Sequence, residues 1–262
     1  MTTITGDITG DHVPLNDQVW TPPAGGFWEG RWQDGQQRMA VRDPENGALV
    51  GVVMDTTDDE INRAVTYLAD RWHRHTWPLW KRREALERSA DALAADADRF
   101  AAVITAEACK TITEARKEVR RAIETLRLAA HAARSLTGRT VPFDNTPRGQ
   151  RWIGWYTREP IGIVAAITPF NDPLNLVAHK LGPALVAGNA VILKPAPQTP
   201  LSALALVDLL LRSGVPAEHL AAVRGESAGH ALVRDRRIDV VSFTGGSSTQ
   251  TASRRRARRA NS

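Results

Sequence analysis

Two periodicities divide the chain. From Thr57 to about residue 138 apolar positions recur at helical spacing, and from residue 161 short apolar runs alternate with helical stretches. "TDDE" at 57–60 has the form of a capping box, in which Thr57 and Glu60 satisfy each other's free amides, and Ile61, Ala64, Val65 and Leu68 then form one stripe. Residues 80–110 predict a second helical region with a break near Asp96 to Asp98. "TITE" at 111–114 offers another capping box before a helix that stops by Gly138. "RWIGWYTREP" at 151–160 alternates and predicts an exposed strand or hairpin.

The second half reads as repeated strand–helix units. "IGIVAAI" (161–167) is apolar at every other residue on both phases, as expected of a parallel strand covered on both faces. Residues 173–188 are helical, with a kink or break expected at Pro183, and "AVILK" (190–194) is the next strand. Residues 199–214 form a helix with Thr199 as N-cap, Pro200 at its first position and Gly214 past its end. "LAAV" (220–223), residues 227–235 and "IDVVSF" (238–243) continue the alternation. The fold class predicted is α/β, a Rossmann-like parallel sheet with flanking helices. An N-terminal arm with short strands (1–55, including "ALVGVVM" at 48–54) precedes it. The helical region and an incomplete α/β domain occupy 56–249, and an Arg-rich disordered tail 250–262.

Charge changes this picture less than the pI of 9.9 suggests. Residues 250–262 hold five arginines and no acid; setting those five aside from the 34 Lys and Arg leaves the bases equal to the 29 acids. The basic balance is local, so nucleic acid is not an expected partner: the tail carries no aromatic residue to stack on bases. The single Cys109 excludes an internal disulfide and suits a reducing compartment. The N-terminus lacks a basic-then-apolar leader pattern, and the longest apolar stretch, 201–211, is too short for a bilayer. A cytoplasmic location without membrane contact is expected. Histidines 73, 75, 179 and 230 lack partners at ligand spacing, so no metal is expected.

In an open parallel sheet, ligands sit beyond the carboxyl ends of the strands. Four loops lie there: "TPFNDP" after 167, "PAPQTP" after 194, "RGESAG" after 223 and "TGGSS" after 243. Their glycines and hydroxyls, with Lys194, suit a nucleotide-sized ligand. Locally, Asn171 reads as a turn residue before Asp172-Pro173, and Lys194 as a solvated strand-end charge.

The same segments, taken in order, resemble the aldehyde dehydrogenase superfamily. "GIVAAITPFNDPLNLVAHKLGPALVAGNAVILKPAPQTPLSA" and "VVSFTGG" carry the likeness most densely, and "FWEGRW", "DPENGALVGVV" and "TITEARKEV" extend it toward the N-terminus. The resemblance implies NAD(P)-dependent oxidation of an aldehyde to a carboxylic acid. It implies that the Asn171 amide donates to the oxyanion and that Lys194 binds the adenosine ribose. It further implies that Ile167, Thr168, Pro169 and Phe170 line the cofactor path, Gly225 and Gly229 the adenine-ribose side, and Phe243, Thr244, Gly245 and Gly246 the diphosphate and nicotinamide side. Lys180 matches a family lysine, with an exposed helix charge as the alternative. Pro197 stands where many NAD-preferring members have Glu, so the cofactor is NAD or NADP. "PFNDPLN" resembles branches acting on short polar aldehydes, including phosphonoacetaldehyde and lactaldehyde types, and the family is oligomeric.

The family's nucleophilic cysteine and base glutamate follow the "FTGG" turn, and no counterpart follows it here. Cys109 falls where the family commonly has glycine, in an inert setting. After the glycine pair the family has a second glycine five positions past Gly245, where this chain has Gln250. The expectation is a truncated or frameshifted member, inactive alone, with a dinucleotide-binding or subunit-interaction remnant as the alternative.

Overall fold

The computed structural model describes residues 25–34, 37–225 and 227–246. In chain order its strands and helices are β1 (Gly26–Trp28), β2 (Arg31–Gln33), β3 (Gln37–Arg42), β4 (Leu49–Asp55), α1 (Asp58–Arg71), α2 (Leu79–Ala95), α3 (Ala97–Ala108) and α4 (Ile112–Ala132). There follow β5 (Arg139–Val141), β6 (Gly154–Tyr156), β7 (Ile163–Ile167), α5 (Asn175–Val186), β8 (Ala190–Lys194), α6 (Leu201–Arg212), β9 (Leu220–Ala222), α7 (Ala228–Arg234) and β10 (Val240–Phe243). The arginine-rich residues 250–262, the N-terminal 24 residues and Ser248 lie outside the described residues.

The main sheet runs β10-β7-β8-β9-β1-β2. Its β10, β7, β8 and β9 are parallel, as the alternating pattern predicts, and β1 and β2 add antiparallel to its far side. Alternation along β7 explains its unbroken apolar sequence. Val164 and Ala166 pack with α2 to α6 on one face, whereas Ile163 and Ala165 pack with α1 and α7 on the other. Neither phase meets water, so neither can be polar.

The capping box at 57–60 forms in full: Glu60 N donates to Thr57 Oγ1 at 3.3 Å, and Thr57 N to Glu60 Oε2 at 2.8 Å. At 111–114 only half of it forms. Thr111 caps α4 through the Glu114 amide, but the Glu114 carboxylate turns to Lys117 Nζ at 2.7 Å. The helical break at Asp96 is present. Pro183 does not break α5, which runs through it to Val186.

Thr199 is not the cap of α6. Pro200 holds that position, and the Thr199 hydroxyl turns back to the Phe170 carbonyl at 3.5 Å. The free amides of Leu201 and Ser202 instead donate to the two oxygens of Glu107, at 2.7 and 2.9 Å. Glu118 serves α5 in the same way, accepting from Leu174 N at 2.8 Å and Asn175 N at 3.1 Å. Both carboxylates are fully buried. Two helices of the α/β half are thus started by acids from the helical half, 56 to 95 residues earlier.

The segment at 151–160 contributes β6, which pairs antiparallel with β5. Its Trp152, Ile153 and Trp155 stand 70%, 87% and 70% exposed.

Candidate active site

Parallel register gathers the predicted residues. Ile167 at the end of β7 is paired with Lys194 on one side and with Phe243 on the other. The pairing continues one step beyond the strands: Thr168 N donates to the Lys194 carbonyl at 3.2 Å, and Thr244 N to the Ile167 carbonyl at 3.1 Å. Residues 167, 168, 194, 243 and 244 therefore share one row at the carboxyl edge, which is where an open parallel sheet receives ligands.

From that row the chain passes through the partly buried Pro169 and the exposed Phe170 to Asn171, whose side chain is open to solvent. The next residue is anchored on both oxygens: Asp172 Oδ1 lies 2.6 Å from Lys110 Nζ and Oδ2 lies 3.1 Å from Arg121 Nη2. Lys110 also reaches the buried Glu118 at 2.7 Å. These two acids raise the Lys110 pKa, against a burial that works the other way and is the largest single influence. Asn171 is thus carried between a covered strand and a helix start, both fixed. Asn171 itself lies in a bend, as its local reading as a turn residue expects.

Lys180 is not an exposed helix charge. It is buried on α5, and Nζ donates to Ser242 Oγ at 3.0 Å and to Thr244 Oγ1 at 2.9 Å, tying α5 to the end of β10. Burial lowers its pKa. His179 is exposed, and its Nε2 lies 3.4 Å from the Thr125 hydroxyl.

The glycines differ in what they do. Gly225 has φ +115°, and a Cβ there would stand 3.1 Å from the Thr56 carbonyl, so only glycine lets the β9–α7 turn close against β4. At Gly229 a Cβ would meet nothing within 4 Å, so its face is open to a ligand. Gly245 folds under the Phe243 ring, 2.6 Å from a hypothetical Cβ, and Gly246 follows it, exposed.

Sequence reasoning missed one corner of the site. Arg224, at the end of the β9 segment, is 2% exposed, and its backbone amide donates to Thr56 Oγ1 at 2.9 Å. Its guanidinium donates to the Met54 carbonyl at 3.4 Å and lies 3.6 Å from Asp55 Oδ1. Burial raises the Asp55 pKa, and the charges of Arg224 and Lys194 partly oppose that rise. Asp55, Thr56, Asp58, Gly225, Ser227 and His230 border an open cavity of about 630 Å³. The available signal was an arginine between an apolar strand and a glycine, a position that commits its side chain to the interior or to a ligand.

Cys109 does not join the site row. It is exposed at the end of α3, in the left-handed region (φ 52°, ψ 38°) that glycine occupies without strain. The structure brings Asp43 and Glu45 beside it, with ligand atoms within 4.8 Å of one another, a grouping the sequence gave no sign of. Two carboxylates are the reverse of the electropositive surroundings that activate a thiol.

The pattern of the aldehyde dehydrogenase family matches residues 32–260. The chain belongs to that family. The matched span runs through residue 260, within the arginine-rich segment. An aldehyde-dehydrogenase-like protein of Sinorhizobium fredii is 44% identical over 221 residues, 84% of this chain and 43% of that protein. The 3-sulfolactaldehyde dehydrogenase of Priestia aryabhattai is 36% identical over 84% of this chain and 46% of its own length. Among solved structures, NADP-dependent glyceraldehyde-3-phosphate dehydrogenase from Bacillus halodurans, in complex with NADP, superposes with a TM-score of 0.86 at 32% identity. That superposition covers 89% of this chain and 50% of the other. The chain spans about half the length of the aldehyde dehydrogenases it matches. Among the described residues no helix is long and apolar enough to cross a membrane.

Proposed function

We propose that this aldehyde dehydrogenase chain holds NAD or NADP at the carboxyl edge of the β10-β7-β8-β9 sheet, as the cofactor-binding portion of an enzyme that oxidises an aldehyde to a carboxylic acid. The observation that carries the reading is the single row of Ile167, Lys194 and Phe243, with Asn171 four residues beyond Ile167. The residues fit a dinucleotide: the row ends in open backbone turns, Gly229 faces free space, and one Asp55 oxygen is buried with no hydrogen-bond partner. Lys194 would hold the ribose, and the turn at 243–246 the diphosphate side. When bound, the cofactor supplies the hydride acceptor. The Asn171 amide would donate a hydrogen bond to the aldehyde oxygen as charge develops on it.

The substrate proposed is a short polar aldehyde. Two relatives are named for charged ones: 3-sulfolactaldehyde, and aspartate semialdehyde in the 52%-identical match from Pseudomonas canavaninivorans, which covers 47% of this chain and 27% of that protein. On α4, Lys117, Arg120 and Arg121 are interleaved with Glu114 and Glu124, and Arg121 pairs with Asp172 beside Asn171, so the polar-aldehyde reading rests on the named relatives.

We further propose that the 262-residue chain does not oxidise aldehydes by itself, because Cys109 is its single thiol and lies among carboxylates. Its remaining role would be to hold dinucleotide, or to assemble with other subunits in the cytoplasm through the exposed β5–β6 hairpin. Calorimetric titration with NAD and NADP tests the holding role, and Lys194→Ala is expected to weaken binding about tenfold or more, the worth of a charge-assisted hydrogen bond. Absence of binding to either dinucleotide removes the reading. Turnover of an aldehyde panel above a Cys109→Ala control would show that the chain is active after all.

A further inference from the structure

We propose that Asp55 selects between the two dinucleotides, accepting the 2′-hydroxyl of the adenosine ribose and rejecting a 2′-phosphate. This rests on the dinucleotide reading above. Pro197, on the loop after β8, is exposed and offers neither a side-chain acceptor nor a charge. Asp55 comes from another part of the chain, the last residue of β4, yet Lys194 lies within electrostatic reach of its carboxylate.

Three observations support the assignment. Asp55 Oδ1 is buried and has no hydrogen-bond partner; Arg224 Nη2, at 3.6 Å, is an ion pair too long to be one. A buried carboxylate oxygen left in that state is costly unless a ligand completes it. Asp55 borders the 630 Å³ cavity together with Gly225, on the side predicted for adenine and ribose. The β4–α1 and β9–α7 turns are also locked around it. Thr56 N donates to the Arg224 carbonyl at 3.2 Å, and Ser227 Oγ donates to Asp58 Oδ1 at 2.8 Å. The carboxylate is therefore held in place without a ligand.

The charges decide the specificity. A ribose diol completes the Asp55 acceptor, whereas a 2′-phosphate brings two negative charges toward a third. Arg224, the cation paired with Asp55, is 2% exposed and so is not open to receive that phosphate.

The test is titration of the 262-residue chain and its Asp55→Asn variant with NAD and NADP, followed by tryptophan fluorescence. The wild type is expected to bind NAD at least about tenfold more tightly than NADP. Asp55→Asn should shift the ratio toward NADP by about tenfold or more, the worth of one charge-assisted contact near a surface. Asp55→Ser provides the same comparison if the Asn variant melts below the assay temperature. In the wild type, 5′-AMP should displace NAD and adenosine 2′,5′-bisphosphate should not. Binding with a ratio that both substitutions leave unchanged within twofold overturns the role of Asp55 and leaves the dinucleotide site standing. A wild type that prefers NADP overturns it equally. Binding of neither dinucleotide overturns the site itself, and this inference with it.

Discussion

The carboxylate of Glu118 accepts the amide of Leu174 at 2.8 Å, so that α4 starts α5 and fixes the end of the loop that carries Asn171. The other oxygen of Glu118 meets Lys110, which in turn holds Asp172. Helix start, loop and cation form one connected unit.

Removing Glu118 should therefore cost more than a surface charge. Glu118→Ala leaves two helix amides unsatisfied and Lys110 with half its counter-charge, and the expected loss is about 3–5 kcal/mol. Glu118→Gln retains one acceptor and should lose less. Urea unfolding measures both, and an alanine variant within about 1 kcal/mol of wild type would show that water replaces the carboxylate without loss.

Glu107 makes a pH prediction. Burial pushes its pKa up from 4.5 to about 7, although the amides of Leu201 and Ser202 pull it down. A carboxyl group with a raised folded pKa contributes stability that is fully present below its unfolded pKa, near 4.5, and is lost as pH rises through about 7. The window is thus about pH 4.5 to 7, and the span is worth on the order of 3 kcal/mol. Wild type should lose stability across it relative to Glu107→Gln. Parallel melting curves for the two proteins between pH 5 and pH 8 would sink the prediction.

Cys109 occupies a glycine conformation, with φ 52°. A left-handed non-glycine residue costs about 1–2 kcal/mol, and glycine returns about 0.5–1 kcal/mol of that as entropy in the unfolded chain. Cys109→Gly should therefore stabilise by about 0.5–1 kcal/mol, a rise in Tm of about 2 °C. A fall in Tm would mean that the side chain makes packing contacts worth more than the strain.

These examples mark what the sequence could reveal. The parallel strands were legible because burial on both faces leaves no polar phase, as at Ile163 to Ile167, and the helix start at Thr57 was legible because both halves of its cap lie within four residues. The caps on α5 and α6 were not. Glu107 and Glu118 look like ordinary charges within amphipathic helices, and their partners come 56 to 95 residues later. Lys180 was ambiguous for the same reason, since its hydroxyl partners Ser242 and Thr244 arrive with a different strand. At the candidate site, Asn171, Lys194 and Phe243 were identified through their motifs. Asp55 and Arg224 were not, because the fold brings them together from opposite ends of the chain and no local pattern announces a contact of that range.

The β5–β6 hairpin carries the last prediction. Trp152, Ile153 and Trp155 are each at least 70% exposed, and Phe143 and Tyr156 add 44% and 45% exposed rings nearby. Aromatic side chains concentrated on one short hairpin stay in water at a cost that a partner surface would remove. The chain should therefore associate as its concentration rises, and replacing Ile153 and Trp155 together by Ser should shift sedimentation toward the monomer. These side chains make few intramolecular contacts, so the double variant should melt within about 0.5 kcal/mol of wild type when both are monomeric. An unchanged sedimentation profile would remove the hairpin from the assembly surface, and a monomeric wild type at high concentration would leave its exposed tryptophans without an assembly role.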